Sequence, residues 1–586
     1  MRIRRLWIEN FRGIKKLDWK IPSAQQLTVL VGPGDTGKST ILEAIHLLLG
    51  DRWMIGFADT DFYGTDIEQK IVIKALLVDI PATLKREAAL GLWLSGIDPG
   101  GELRQDPEDG CEPALLVQLT VDSSLEPKWS VARANGEQQG LTASQRRSFS
   151  TFKVDDRTDA QLRWSRTSPL GRLSSQDGSE RQALAAAARA ARDALLDHEN
   201  SALTKLTGEV QERANKIGGG SFSDIKPGLD TSRSSMGAAL ALYEDVVPLT
   251  SYGLGSRRLA SLAVQQLAAG GRSVAVIDEL ESGLEPHRAV RLLTYLLGGE
   301  EYSQVLITTH SPVLVEHAKL ANLATVQNQD GVVAVTSLSD SGDVMQRLRR
   351  SSPSALLAKH VVVAEGKTEH GLLLELIDAW DGERSRKGLS TAAGEGVAVL
   401  DAKGGAEAAL KAEALLKLGL QAAALLDNDD RVVDDVVSAA QTSGVQIIRW
   451  ELGDNTEAQV CSGLGTERLT KLVKLGVELR HGDDTVLQDL NSTDATNPLS
   501  SLKVVEWVEA GMTIESCRER VAKAAHARGW FKTVDGGRAL AGFVLANYGS
   551  AELAQSTIRL EKVKTFIYPA AVGGGEAQSA DEQRDG

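Results

Sequence analysis

The stretch that decides the fold is Val31-Gly32-Pro33-Gly34-Asp35-Thr36-Gly37-Lys38-Ser39-Thr40. It reads G-x-x-x-x-G-K-S-T. It follows Leu27-Thr-Val-Leu30, a short β-rich apolar run, and precedes Ile41, Leu42, Ile45, Leu48 and Leu49, spaced as one face of a helix. Strand, glycine loop and helix in that order predict a phosphate-binding loop. Glycines let backbone N–H groups close around phosphate oxygens, and the helix N-terminus adds positive potential. The pattern assigns Gly32, Gly34, Asp35, Thr36, Gly37 and Thr40 to the cradle. Lys38 is expected on the β- and γ-phosphates and the Ser39 hydroxyl on Mg²⁺. The ligand class is a nucleoside triphosphate, taken as ATP.

A chain of 586 residues exceeds one hydrophobic core and predicts roughly two to four domains. Cys111, Cys461 and Cys517 form no C-x-x-C pair, so neither disulfides nor a zinc ribbon is indicated. Leu6-Trp-Ile-Glu-Asn-Phe-Arg-Gly13 alternates like a strand and lacks the apolar core of a signal peptide. No stretch approaches the ~18 apolar residues of a membrane span, so a cytoplasmic protein with no membrane partner is expected. Lys plus Arg number 65 against 79 Asp plus Glu, a formal charge of −14. That argues against a surface coated in basic charge, but a local basic stripe still suffices for nucleic acid.

Outward from the loop, Ile71 to Leu77 and Leu115 to Val121 read as strands, and 98–180 reads as loop-rich. Arg181 to Ala214, rich in Ala, Leu, Glu, Arg and Lys, reads as a helical insertion ending at Gly218-Gly-Gly220 and is a dimerisation candidate. Ser273-Val-Ala-Val-Ile277 is a buried-strand run ending in Asp278-Glu279. An acid there suits Mg²⁺ or its water, and the next glutamate suits the attacking water. A second run, Val305-Leu-Ile-Thr-Thr309, ends at His310, placed to sense a γ-phosphate. Residues 340–358 read as a polar junction, 500–560 as mainly helical, and the tail from Gly573 as disordered.

Ile8-Glu-Asn-Phe-Arg-Gly13, Ile277-Asp-Glu-Leu-Glu-Ser-Gly-Leu-Glu-Pro286 and Thr309-His310-Ser311 resemble the ATP-binding-cassette heads of the RecF and SMC group. The likeness implies an opening strand, a Walker B and D-loop, and a switch histidine, with Asp61 near the Q-loop position. The family's LSGGQ is absent. Tyr252-Gly-Leu-Gly-Ser256 is its best substitute, with Ser256 placed to cap a γ-phosphate across a homo-oligomer, dimer or tetramer.

Behind this lies a second constellation. His360-Val-Val-Val-Ala364 delivers Glu365 into a turn, and Glu369 follows in the first turn of the next helix. Ala422 to Leu426 is an apolar strand leading into Asp427-Asn-Asp429. Side chains two apart on a strand share a face, so Asp427 and Asp429 are expected to converge at its C-terminal edge, where parallel sheets bind ligands. Gathered carboxylates repel unless cations neutralise them, which predicts Mg²⁺ or Mn²⁺, two ions serving a phosphodiester displacement. Glu-Gly-x-x-Glu with D-N-D resembles the Toprim fold. With the cassette it is similar to the OLD (overcoming lysogenisation defect) ATPase–Toprim nucleases, which include the nuclease subunit of Gabija antiphage systems.

The fold this implies is α/β. A RecF/SMC-like head occupies 1–180 and 246–345, interrupted by the insertion at 181–245. A Toprim domain follows at 355–570 and a tail at 571–586. The activity implied is a metal-dependent endonuclease that nicks or cuts duplex DNA, coupled to an ATPase, in phage defence or DNA processing. One class of the family implies a UvrD-like helicase partner. The resemblance also calls for a further acid, Glu457 with Glu451 as rival, and a lysine, Lys532 in Gly529-Trp-Phe-Lys, with Lys562 and Lys564, expected near a final strand, as alternatives. Asp401-Ala-Lys403-Gly-Gly405 is expected to line the site as a turn rather than to supply chemistry. The rival function is a RecF-type ATP-driven DNA clamp with an inert Toprim domain. A topoisomerase or primase lacks a tyrosine in supporting context, only Tyr548 and Tyr568 lying beyond the acids.

Overall fold

The computed structural model describes residues 1–50, 56–86, 89–108, 110–149, 151–155, 161–163, 168–170, 242–244, 247–269, 273–299 and 302–569, with positions 186 and 190. Nearly all of the insertion expected over 181–245, and the tail over 571–586, lie outside the described residues. The chain forms two compact units. One comprises Met1–Leu30, Gly37–Ala318 and Asn328–Ala334; the other comprises Val31–Thr36, Lys319–Gln327 and the chain from Val335 onward.

Strands of the first unit include β1 (Arg2–Phe11), β2 (Ile14–Lys20), β3 (Leu27–Val31), β4 (Ile71–Val78), β5 (Glu112–Val121), β6 (Pro127–Ala132), β7 (Thr151–Val154), β8 (Ser273–Ile277) and β9 (Tyr302–Thr308). β2, β1, β4, β5 and β6 pair antiparallel in that order. From Lys16 on β2 alternates, with Leu17 and Trp19 buried between exposed Lys16, Asp18 and Lys20, as expected of a sheet with one wet face. β7, β8, β9 and β3 pair parallel in that order. β8 and β9 are buried along their whole length, which is why they appear in the sequence as unbroken apolar runs. The Gln304 amide joins the two regions, accepting from Ile3 N at 2.8 Å and donating to Ile3 O at 3.1 Å. Helix α1 (Lys38–Leu49) leaves the glycine loop, and α2 (Leu254–Ala269) carries Ser256 in its first turn.

The second unit holds a wholly parallel sheet of β10 (His360–Ala364), β11 (Val397–Asp401), β12 (Gln421–Leu426) and β13 (Gln446–Arg449), ordered β11-β10-β12-β13. Helices α3 (Lys367–Arg386), α4 (Gly405–Lys417), α5 (Asp434–Thr442) and α6 (Thr456–Cys461) follow successive strands. Among the later helices are α7 (Ile514–Arg528), α8 (Val534–Ala546) and α9 (Ala554–Ile567). Trp380, Trp450, Trp507, Trp530 and Phe531 anchor the apolar core beneath them. α3 and α8 meet backbone to backbone, for a Cβ on Gly371 would lie 2.1 Å from Val534 O.

Within the polar stretch 340–358, Gly342–Ser351 is a helix with Met345 and Leu348 buried, followed by a 3₁₀ turn at Pro353–Leu357. Two expectations are corrected. Asp427 and Asp429 do not share a strand face, because β12 stops at Leu426. Lys562 and Lys564 lie on α9, not beside a final strand.

Candidate functional site

The glycine loop is shaped by backbone that other residues rarely adopt. Gly32 and Gly37 have φ of 139° and 94°, and a Cβ on Gly32 would stand 2.6 Å from Val326 O. Asp35 also has positive φ, Gly34 is exposed, and Thr36 Oγ1 donates to Pro33 O at 3.1 Å. Lys38 is buried and opens α1 with Ser39 and Thr40, the kind of helix start whose N–H groups favour an anion.

Beside them, Asp278 Oδ1 accepts from Ser39 Oγ at 2.9 Å and from Thr308 Oγ1 at 2.6 Å. Thr308 Oγ1 accepts in turn from Glu279 N at 2.8 Å, holding Glu279 at φ 47°. Glu281 binds Thr309 Oγ1 at 2.8 Å and His310 N at 2.6 Å. Ser39, Asp278, Glu279 and His310 are thus brought together. Buried Arg258 donates to Asp278 O at 2.5 Å. Gly255 and Gly283 touch so closely that a Cβ on Gly255 would lie 2.2 Å from Gly283 O. Gly255 belongs to the signature substitute and Glu281 and Gly283 to the Walker B and D-loop stretch of the sequence reading, which gave Arg258 no role and did not foresee the contact between the two glycines. Asp61 is occupied by Arg12, whose Nε donates at 2.8 Å.

At the C-terminal edge of the parallel sheet, Glu365, Glu369, Asp427, Asp429 and Glu457 gather. Asp427 N donates to Glu365 Oε2 at 2.9 Å. Glu369 accepts from Gly366 N at 2.9 Å with one oxygen and from the Thr456 hydroxyl at 2.6 Å with the other. Thr456 also gives Asp427 Oδ1 its backbone N–H at 2.9 Å, with its hydroxyl 3.1 Å away, and it accepts from Trp450 Nε1 at 2.7 Å. One hydroxyl proton thus faces two carboxylates. Burial, then Glu369, Glu365, Glu457 and Asp429, push the Asp427 carboxyl up to about 9. Burial also raises Glu365 against the pull of the Asp427 N–H, and raises Glu369 against the Thr456 hydroxyl.

Glu457 is 3% exposed. One oxygen lies 3.2 Å from His526 Nδ1, and that contact raises the imidazole; the other, Oε1, is buried with no hydrogen-bond partner. Its rival Glu451 pairs with Arg559 instead. Asp429 accepts from Asn455 Nδ2 at 3.2 Å. Exposed Lys532 sits in the turn between α7 and α8, close enough to act on His526, and Thr368 Oγ1 ties that turn to α3 through Phe531 O at 3.2 Å. Lys564 lies over the Trp380 ring. The Asp401–Gly405 turn wraps Glu365: Gly404 N donates to Glu365 O at 2.8 Å, and a Cβ on Gly405 would stand 3.2 Å from Glu365 Oε2. Thr456, Trp450 and His526 escaped the sequence reading.

Among the described residues no three His, Cys, Asp or Glu side chains already surround a single metal position. The donors are nevertheless of the right kind, being all oxygen, crowded, and including the orphaned Glu457 Oε1, which fits a hard divalent cation. No helix of the described residues is long and apolar enough to cross a membrane.

Residues 27–316, just under half of the chain, match the family model described as "AAA domain, putative AbiEii toxin, Type IV TA system". An OLD nuclease of Thermus scotoductus is 45% identical over 51 residues, 9% of each chain, so the chain spans about a tenth of the length of the curated relative it matches. Solved structures similar in part include the SmcHead bound to the C-winged helix domain of ScpA (17% identity, 58% of this chain, 99% of that one, TM-score 0.32). The SMC head domain from Thermotoga maritima is 15% identical over 57% of this chain and 99% of its own (TM-score 0.27). The recombination mediator RecF with ATP is 15% identical over the same shares (TM-score 0.31). The matched segment is an AAA-type ATPase domain, and it holds the glycine loop, the acid pair and the histidine.

Proposed function

We propose that the chain is a metal-dependent DNA endonuclease of the OLD type, coupled to its ATPase domain. The observation that carries the reading is the acid cluster at the mouth of a parallel sheet, crowded enough to hold Asp427 near 9. Glu365, Glu369, Asp427, Asp429 and Glu457 would hold ions of the magnesium class, which supply water activation and charge neutralisation at a phosphodiester. Thr456 orients Glu369 and Asp427 toward one another. His526 fixes one oxygen of Glu457 and leaves the other turned inward. Lys532 stabilises charge developing on the phosphate.

In the ATPase domain Lys38 grips the β- and γ-phosphates, and Ser39 with Asp278 carries the nucleotide's Mg²⁺. Glu279 orients the attacking water and His310 reads the γ-phosphate. Ser256 caps the nucleotide of a second copy, which makes a homo-oligomer, dimer or tetramer, the working form. A UvrD-like helicase partner and a role in phage defence extend the same reading.

Supercoiled plasmid incubated with Mg²⁺ or Mn²⁺, with and without ATP, tests it. Wild type should cut, Asp427→Ala should not, and Lys38→Ala should change only the response to ATP. Intact ATP hydrolysis with no cut under any condition would favour the clamp reading.

A further inference from the structure

Three connections leaving the C-terminal edge of the parallel sheet, two of them in loops and one at the first residue of α3, each carry one exposed cation beside the acids. Lys367 stands two residues beyond Glu365 and two before Glu369. Lys403 stands in the middle of the turn that wraps Glu365, held at φ 67°, with its N–H on Asp401 Oδ1 at 3.0 Å. Arg431 stands two residues beyond Asp429, on a loop braced by Arg449, which donates to Asp427 O at 3.2 Å and to Asp434 Oδ1 at 2.6 Å. All three side chains are exposed. Ion pairs are plentiful elsewhere in this acidic chain. Yet among the described residues none of these three cations has an acid partner, although the densest group of acids lies next to them.

An exposed lysine is ordinarily just solvated. Three cations, two lysines and an arginine, on successive connections and without an acid partner around one acid pit make a different pattern: negative charge at the centre for cations, positive charge at the rim. A phosphodiester chain complements that pattern, its scissile phosphate over the acids and its neighbours over the rim. We infer that Lys367, Lys403 and Arg431 form a seat for the DNA phosphates flanking the scissile bond, and that they set affinity for the polymer rather than the chemistry. The inference rests on the nuclease reading.

The test uses the full chain and two substrates. Binding of a labelled DNA duplex is followed by anisotropy across a NaCl series in Ca²⁺, and hydrolysis of bis(p-nitrophenyl) phosphate, which has no neighbouring phosphates, is followed in Mn²⁺. With about 0.9 ions released per phosphate contact, Lys367→Gln/Lys403→Gln/Arg431→Gln should flatten the log–log salt slope by about 2.7. It should leave hydrolysis of the small diester within about twofold. Lys367→Arg/Lys403→Arg/Arg431→Lys should keep the wild-type slope. An unchanged slope in the Gln variant, or loss of small-diester hydrolysis with it, would overturn the phosphate seat. A wild type inert toward both substrates would instead sink the nuclease reading.

Discussion

Thr456 addresses one carboxylate oxygen of Asp427 twice, with its backbone N–H at 2.9 Å and its hydroxyl at 3.1 Å. The same hydroxyl serves Glu369 and receives the Trp450 indole, so it is the keystone of the acid cluster. Thr456→Val keeps the shape and the N–H but orphans a buried indole and a buried carboxylate. The expected cost is about 1–3 kcal/mol, read by urea denaturation of the second unit's transition, with Thr456→Ser restoring most of it.

The acid cluster makes metal-free stability fall as pH rises. Asp427 ionises near 3.8 when unfolded but near 9 when folded, so between those limits the folded state holds the extra proton. Stability then has a negative slope in pH: the contribution is fully present below about pH 4 and is lost on approaching pH 9. His526, raised by Glu457, acts in the same direction around neutrality. In EDTA the denaturation midpoint should drop between pH 6 and 9, and Asp427→Asn should flatten that drop.

Glycine within a helix normally costs up to about 1 kcal/mol against alanine, so Gly255→Ala would ordinarily stabilise α2. Here the added methyl meets Gly283 O at 2.2 Å. Overpacking of this kind costs about 1–3 kcal/mol, so the sign reverses. The variant should melt earlier and lose ATP turnover, measured by phosphate release.

Much of this was legible in the sequence where a local requirement forces residue type. Gly32 and Gly37 adopt backbone that glycine favours, and β8, β10 and β12, buried on both faces, show themselves as apolar runs ending in acids. The pleat argument for Asp427 and Asp429 failed because β12 ends at Leu426, before either of them; the loop after it gathers them instead. What stayed hidden is nonlocal. Thr456 lies 87 residues from Glu369 and His526 lies 69 from Glu457, and no periodicity announces contacts made only when α6 meets α3 and α7.

The claim that the five acids form a metal site is tested most directly by calorimetric titration of Mn²⁺ into the nucleotide-free chain at about pH 7.5, in two buffers of different ionisation heat. Asp427, protonated at that pH, must give up its proton to a metal. The prediction is saturable binding with close to one proton released, weakened about 10–100-fold and stripped of that proton in Asp427→Asn. Binding that releases no proton and is untouched by Asp427→Asn, or no binding at all, would contradict the account.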